Sequence, residues 1–269
     1  TWLGDPGIGM YCDLWATNTS GSRFWRLTNH PAKMNMFDGI QAMAVVNPHF
    51  SHDGARLIWT ERYAPGGHHN WGKWRVMMAD FEEANGSPHL VNPRIVIRAE
   101  DNGPECNYVT AMEFLPGDTM LVVAGNLDGQ HEFGMDQYLL DLSTKRLVNL
   151  RKTPEYWEED ASLHPNGRLL VSMSNEASRF RLDFGNARWA AQPREREYWM
   201  LDLANGRRER LTFFNEPSAR EFTGRRTIVA ASDFSPDGRF LAASIGLDRR
   251  DDHRADIELK IALIEFIDQ

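Results

Sequence analysis

The 269-residue sequence predicts an all-β fold assembled from repeated four-stranded antiparallel units, and three observations carry that prediction. Residues 232–247, SDFSPDGRFLAASIGL, recur in weaker form as PHFSHDGARLIWTER from Pro48, MEFLPGDTMLVVAGN from Met112 and ASLHPNGRLLVSMSN from Ala161. Each copy sets a short apolar strand, a tight turn rich in Pro, Asp, Asn and Gly, and a longer apolar strand in a row, which is the pattern of a hairpin. A second pair of strands follows the copies, so that a complete unit is a four-strand meander. Four strands per unit at a period of roughly 40 to 50 residues is the sequence signature of a β-propeller.

The elements follow in order. Residues 13–28, DLWATNTSGSRFWRLT, have the form of a third and fourth strand with no first hairpin before them in this numbering, which reads either as a fragment of a larger chain or as a chain whose preceding residues were removed. The first copy is followed by KWRVMMADFEEANGSPHLV, the second by DQYLLDLSTKRLVNL and the third by REYWMLDLANGRRERLT; the fourth is followed by ELKIALIEF, a third strand without a fourth. The large apolar anchors Phe50, Phe114, Leu163 and Phe234 are spaced by 64, 49 and 71 residues, so the excess over a minimal blade lies in loops. About five blades are recognisable, the first and last incomplete, and residues 1–269 are expected to form one domain.

The SPDG turn, the DLANGRRERLT ending and the segment DLWATNTSGSRFWRLTNHP resemble the TolB-like propellers built from WD40-like (PD40) repeats. The resemblance spans almost the whole chain. It implies the propeller fold, and it implies three kinds of function that such blades serve: periplasmic scaffolds, propeller domains of prolyl-oligopeptidase-type peptidases, and oligogalacturonate lyases. The lyase resemblance would imply a manganese site of several histidines and a glutamine in the channel, with elimination from an acidic sugar; the candidates here are His49, His68, His69, His131 and Gln130.

Composition narrows the partners. With 30 basic against 38 acidic residues the formal charge is -8, which argues against nucleic acid or an anionic membrane surface. No run of about 18 apolar residues is present, so no membrane span is expected, and no signal peptide occurs within this numbering. The arginines 194, 196, 207, 208 and 210 cluster in sequence, either as a basic patch or as solvated strand edges that discourage edge pairing. Cys12 and Cys106 form one bridge or remain two free thiols.

Topology selects the functional face. In a four-strand meander the first-to-second and third-to-fourth connections share one end, and here they are short and repetitive. The opposite end gathers long, irregular loops, where binding chemistry on a β scaffold usually sits. There the expected binding residues are His68, His69, Trp71, His131, Tyr156, Trp157 and Trp189, the aromatics being suited to stack on a sugar or anchor a protein. GGHHNWGKW is the sharpest local feature, and His68, His69 and His131 are candidate metal ligands. The acidic runs EYWEED and DRRDD could supply oxygens to calcium. His49, Glu113, Ser162 and Asp233 directly precede an anchor, either as a polar ring around the channel or as side chains bonded to neighbouring strands; with Asp160 added as a further carboxylate, His49, Glu113, Asp160 and Asp233 are the channel candidates. His52 and His164 occupy the hairpin turns and are expected at the surface, while Trp15, Trp25, Trp59 and Trp199 are expected in the core. There is no G-x-S-x-G nucleophile motif. The leading expectation is a non-catalytic scaffold, periplasmic or secreted, that holds a protein partner or subunit. The alternative is a metal-dependent carbohydrate-active enzyme, with manganese or calcium as its metal, or the propeller domain of a larger enzyme.

Overall fold

The computed structural model describes residues 12–30, 44–64, 72–185, 193–248 and 257–266. Among these, seventeen strands form five antiparallel sheets. A two-stranded hairpin, β1 (Trp15–Thr17) with β2 (Phe24–Arg26), comes first. The first blade follows, with strands β3 (Ala44–Phe50), β4 (Arg56–Ala64), β5 (Lys73–Ala84) and β6 (Ser87–Arg98) in that spatial order. The second comprises β7 (Val109–Phe114), β8 (Met120–Gly125), β9 (Asp136–Asp141) and β10 (Leu147–Asn149). The third comprises β11 (Glu158–Leu163), β12 (Leu169–Ser174), β13 (Glu197–Asp202) and β14 (Arg208–Arg210). The last sheet has β15 (Thr227–Phe234), β16 (Phe240–Asp248) and β17 (Ile257–Glu265). Among the described residues four blades are formed, and of the expected fifth these residues include the β1–β2 hairpin.

The repeated turn does what its residues dictate. In SPDG, Ser235 Oγ donates to Asp237 Oδ1 at 2.6 Å and accepts from Phe240 N at 2.9 Å, while Gly238 takes a φ of 73°. The Ser51 and Asp53 side chains make the same local bonds in the first copy. Each inner strand also carries a bulge before its anchor, between Val46 and His49, Ala111 and Glu113, Glu159 and Ser162, and, one residue earlier, Val229 and Ser232. Asn47 and Asp160, three residues before their anchors, take φ of 52° and 50° there, a conformation that Asn and Asp tolerate better than most residues.

The chain divides into two compact units, one from Trp2–Glu132 with Tyr138–Val148 and one from Phe133–Gln137 with Asn149–Gln269. In the N-terminal unit a single apolar cluster joins Ile58, Val76 and Met78 of the first blade to Val109, Ala111, Phe114 and Leu121 of the second. A second cluster packs Leu14 and Leu27, beside the hairpin, on Leu57, Trp59 and Met77. Polar clasps cross between blades: Asn47 Nδ2 donates to Thr110 Oγ1 at 2.8 Å, and the Thr60 and Thr110 hydroxyls lie 3.0 Å apart. In the C-terminal unit the Ser162 and Ser232 hydroxyls lie 3.0 Å apart, and Tyr198 Oη donates to Ala230 O at 2.9 Å.

Several expectations change here. Trp59 is buried, but Trp15 is 59 % exposed on a hairpin that pairs with no further strand among the described residues. The turn histidines stay at the surface, His52 exposed and His164 half-buried, and they also latch neighbouring blades: His52 N and Nδ1 meet Asp118 Oδ1 at 3.0 and 2.7 Å, and His164 packs edge-on against Phe234 at 5.0 Å. A Cβ on Gly238 would stand 2.2 Å from His164 Nε2, so that contact requires glycine. Cys12 and Cys106 are not bridged to each other; Cys12 Sγ donates to Val45 O at 3.1 Å, and burial pushes the Cys106 thiol up.

Candidate functional site

The long-loop end is built on a recurring carboxylate. At the start of a third strand, or just before one, an acid binds the residues that leave the fourth strand. Asp13 accepts from Thr28 Oγ1 at 2.7 Å and His30 N at 3.0 Å, and Asp136 accepts from Thr153 Oγ1 at 2.8 Å and Thr153 N at 2.9 Å. Glu197 accepts from Thr212 Oγ1 at 2.6 Å, Arg210 Nη2 at 3.1 Å and Asn215 N at 2.8 Å. Burial would raise the Asp13 carboxyl, but bonds from Thr28 and His30 outweigh it and hold the group below its ordinary range. These acids fix loop geometry and are used up in doing so.

The arginine cluster is structural for the same reason, which corrects its expected place on solvated edges. Glu158, buried at 0 % exposure, pairs with Arg208 Nη2 at 2.8 Å and Arg151 Nε at 3.2 Å, and Glu176 joins both arginines. Arg208 lies 4.1 Å over the Trp199 ring and Arg210 4.4 Å over Phe213. Burial pushes Arg208 down to about 10, against the pull of Glu158. Arg207 alone of these side chains is mostly in water, at 77 %.

One group at this end is charged, buried and aromatic together: Trp157, Glu159, Asp160, Arg194 and Arg196, where β11 and β13 begin. Trp157, expected on the rim, is instead 4 % exposed and stands edge-on to Phe133 at 4.6 Å. Its backbone N donates to Asn175 Oδ1 at 2.7 Å and its indole Nε1 to Glu159 Oε2 at 2.9 Å. The Arg196 guanidinium lies 3.9 Å over the indole and Arg194 5.6 Å from it. Asp160 follows in the bulge. Burial, reinforced by the neighbouring Glu159 carboxylate and opposed by Arg196, pushes its carboxyl up to about 6. Arg196 is pushed down to about 10, by burial first and by Arg194 second. One carboxylate, Glu159, and two guanidiniums thus share one indole, with the raised Asp160 carboxyl next to Glu159 in the chain.

The other expected residues are dispersed. His49 and Glu113 are half-buried on β3 and β7 of the N-terminal unit, while Asp233 is exposed on β15 of the C-terminal unit. Tyr156 is half-buried beside Trp157, and its backbone N closes a turn on Thr153 O at 2.9 Å. His131 is half-buried; its neighbour Glu132 is buried and accepts from Asn107 Nδ2 at 2.7 Å. Gln130 donates to Tyr138 Oη at 3.1 Å. His68, His69, Trp71 and Trp189 lie outside the described residues. Among the described residues no three His, Cys, Asp or Glu side chains stand close enough to hold a metal ion. Of the expected residues the structure brings together Trp157 and Asp160. The arginines that complete their group were missed as members of it, and the signal was available: Arg194 and Arg196 bracket the acid Glu195 directly before β13.

No family model matches the sequence, and no curated protein matches it. Solved structures do. TolB from Acinetobacter baumannii superposes with a TM-score of 0.54 at 14 % identity, over 94 % of this chain and 46 % of that one. An oligogalacturonate lyase in complex with manganese gives 0.51 at 12 % identity, over 90 % of this chain and 55 % of that one. A puromycin-hydrolysing peptidase of Mycobacterium tuberculosis gives 0.49 at 13 % identity, over 90 % of this chain and 29 % of that one. The chain spans about half the length of the first two and less of the third. No helix among the described residues is long and apolar enough to cross a membrane. The fold is that of a TolB-like β-propeller.

Proposed function

We propose that the chain is a binding scaffold whose long-loop end holds a protein partner or another subunit, with the partly exposed Arg194, backed by the buried Trp157 and Arg196, as the anchor. The observation that supports this best is the Arg196 guanidinium lying 3.9 Å over a tryptophan that is itself fixed by the sheet. Arg and Trp dominate binding hot spots because they bury large area with a preorganised geometry. Two guanidiniums on one indole suit an acidic segment of the partner, whose carboxylate would find a bidentate donor already desolvated. Export to the periplasm or cell exterior goes with this reading. The test compares proteins captured by the wild type, by Arg194→Glu and by Asp237→Lys at the short-turn end. Loss with the first and retention with the second are expected. Equal capture by all three sinks the proposal.

A second reading rests on Asp160. A carboxyl pushed up to about 6 on an inner strand is poised for proton transfer near neutrality, as a carbohydrate-active enzyme would need. Manganese held through His68, His69 and His131, or calcium held through the acidic runs EYWEED and DRRDD, would belong to this reading, and a metal would supply Lewis-acid polarisation of a sugar carboxylate. Its test is metal analysis of wild type and of a His68→Ala/His69→Ala variant, with turnover of acidic oligosaccharides. Metal that survives the variant, or no turnover, counts against it.

A further inference from the structure

Arg196 differs from the other buried cations of the C-terminal unit. Arg151 and Arg208 reach Glu158 at 3.2 and 2.8 Å, Arg210 reaches Glu197 at 3.1 Å, and Arg226 pairs with Asp248. Arg196 is 8 % exposed, yet its buried Nε meets no hydrogen-bond partner among the described residues. The acids on either side of it in the chain are committed elsewhere. Glu195 accepts from Arg179 Nε at 3.0 Å and Glu197 from Arg210, while Glu159 accepts from the Trp157 indole at 2.9 Å. The guanidinium is held in place all the same. The Arg196 backbone N donates to Thr227 O at 3.2 Å, and the Trp157 ring covers one face of the fork at 3.9 Å. That leaves the edge of the fork, where its N–H groups point, for an acceptor. Nor is the group sealed from solvent, because Glu159, Asp160 and Arg194 are only half-buried.

We propose that Arg196 is the core of a carboxylate-specific site, completed by a Glu or Asp side chain of the partner and closed to phosphorylated segments. This deepens the scaffold reading and rests on it. A planar fork takes a carboxylate through two parallel N–H donors, and a guanidinium already out of water gains most from an incoming counter-charge. Selection against phosphate comes from the acids beside it. Glu159 and Asp160 set two carboxyl groups against the two guanidiniums of Arg194 and Arg196, so the group as a whole is close to neutral. It tolerates one added negative charge, whereas a phosphomonoester brings about two at pH 7 and meets Glu159. The Asp160 carboxyl is already pushed up, by burial first and by Glu159 second, so further negative charge is costly at this place.

The experiment titrates the isotope-labelled chain at pH 7.5 and constant ionic strength and follows the Arg196 Nε–Hε resonance, which Arg196→Lys removes and so assigns. The probes are N-acetylglutamate α-amide, with one side-chain carboxylate, and N-acetylphosphoserine amide. The first is expected to saturate with a Kd of about 1 mM and the second to bind at least about tenfold more weakly. Asp160→Asn, which keeps the tolerance for positive φ, is expected to narrow that gap by about threefold. Arg196→Lys keeps the charge without the fork; read at the Trp157 indole N–H, its carboxylate binding is expected to fall about tenfold. No saturable shift with the carboxylate, or equal binding of the two probes, overturns the proposal. Capture of partners is a separate outcome: carboxylate binding without capture overturns the scaffold reading, and capture without carboxylate binding overturns this site alone.

Discussion

The inner strands β3 and β11 bulge at the same register and hold the bulged residue at nearly the same positive φ, 52° at Asn47 and 50° at Asp160. The side chains diverge. Asn47 spends its amide on Thr110 of the next blade, one link in a neutral clasp with Thr60. Asp160 sits instead among Glu159, Arg194 and Arg196, where burial works against its charge. A neutral clasp gives up about 1–3 kcal/mol when one partner is lost and the other is left buried and unpaired. A buried ion costs more when its counter-charge is removed. The same backbone therefore supports a joint in one unit and a charged site in the other.

The sharpest way to break this contrast is to remove one ion from the C-terminal unit. Arg208→Ala leaves Glu158, buried and already pushed up by desolvation, with Arg151 as its remaining direct pair. The expected loss is about 3–5 kcal/mol in urea unfolding. Asn47→Ala in the N-terminal unit is expected to lose about 1–2 kcal/mol. If the two cost the same, the division into neutral and charged joints fails.

Asp160→Asn tests the site itself. Because the folded carboxyl titrates near 6 and an unfolded one near 3.8, the folded state holds the proton more tightly. The stabilising contribution is present below pH 3.8 and is lost as pH rises through about 6. Asparagine keeps the tolerance for positive φ and never ionises. The variant is expected to match wild type near pH 4 and to exceed it by about 1–3 kcal/mol at pH 7.5. A wild type whose stability is flat between pH 4 and 7 would show that Asp160 is solvated.

The fold was legible because the turn chemistry repeats: Ser235, Asp237 and Gly238 bond locally, so their signature survives in any tertiary context. The blades' pairing followed from the anchors for the same reason. The site was legible only in part. Asp160 was visible from its position before Leu163, but Trp157 read as a rim residue because a loop aromatic gives no sign of which way it turns. The arginines misled most, since a run such as RRER on a strand looks solvated until its acids, Glu158 and Glu176, arrive from elsewhere in the chain. Long-range charge pairing leaves no local period to detect.

The smallest expected effect lies at the short-turn end, in the latch between His52 and Asp118. The His52 side chain is 48 % exposed, so its pairing is screened, and His52→Ala is expected to cost under about 1 kcal/mol. The pH dependence is the more informative readout. Burial alone would raise the Asp118 carboxyl, but hydrogen bonds from His52 outweigh it and hold the group below its ordinary value of 3.8. A depressed carboxylate contributes stability above 3.8 that is lost as pH falls through the lower folded value. Removing His52 is therefore expected to flatten the acid limb below pH 4 and leave the limb near pH 6, which belongs to Asp160, unchanged. Movement of both limbs would mean that the turn and the charged site are coupled, and that the two ends of the blades do not act independently.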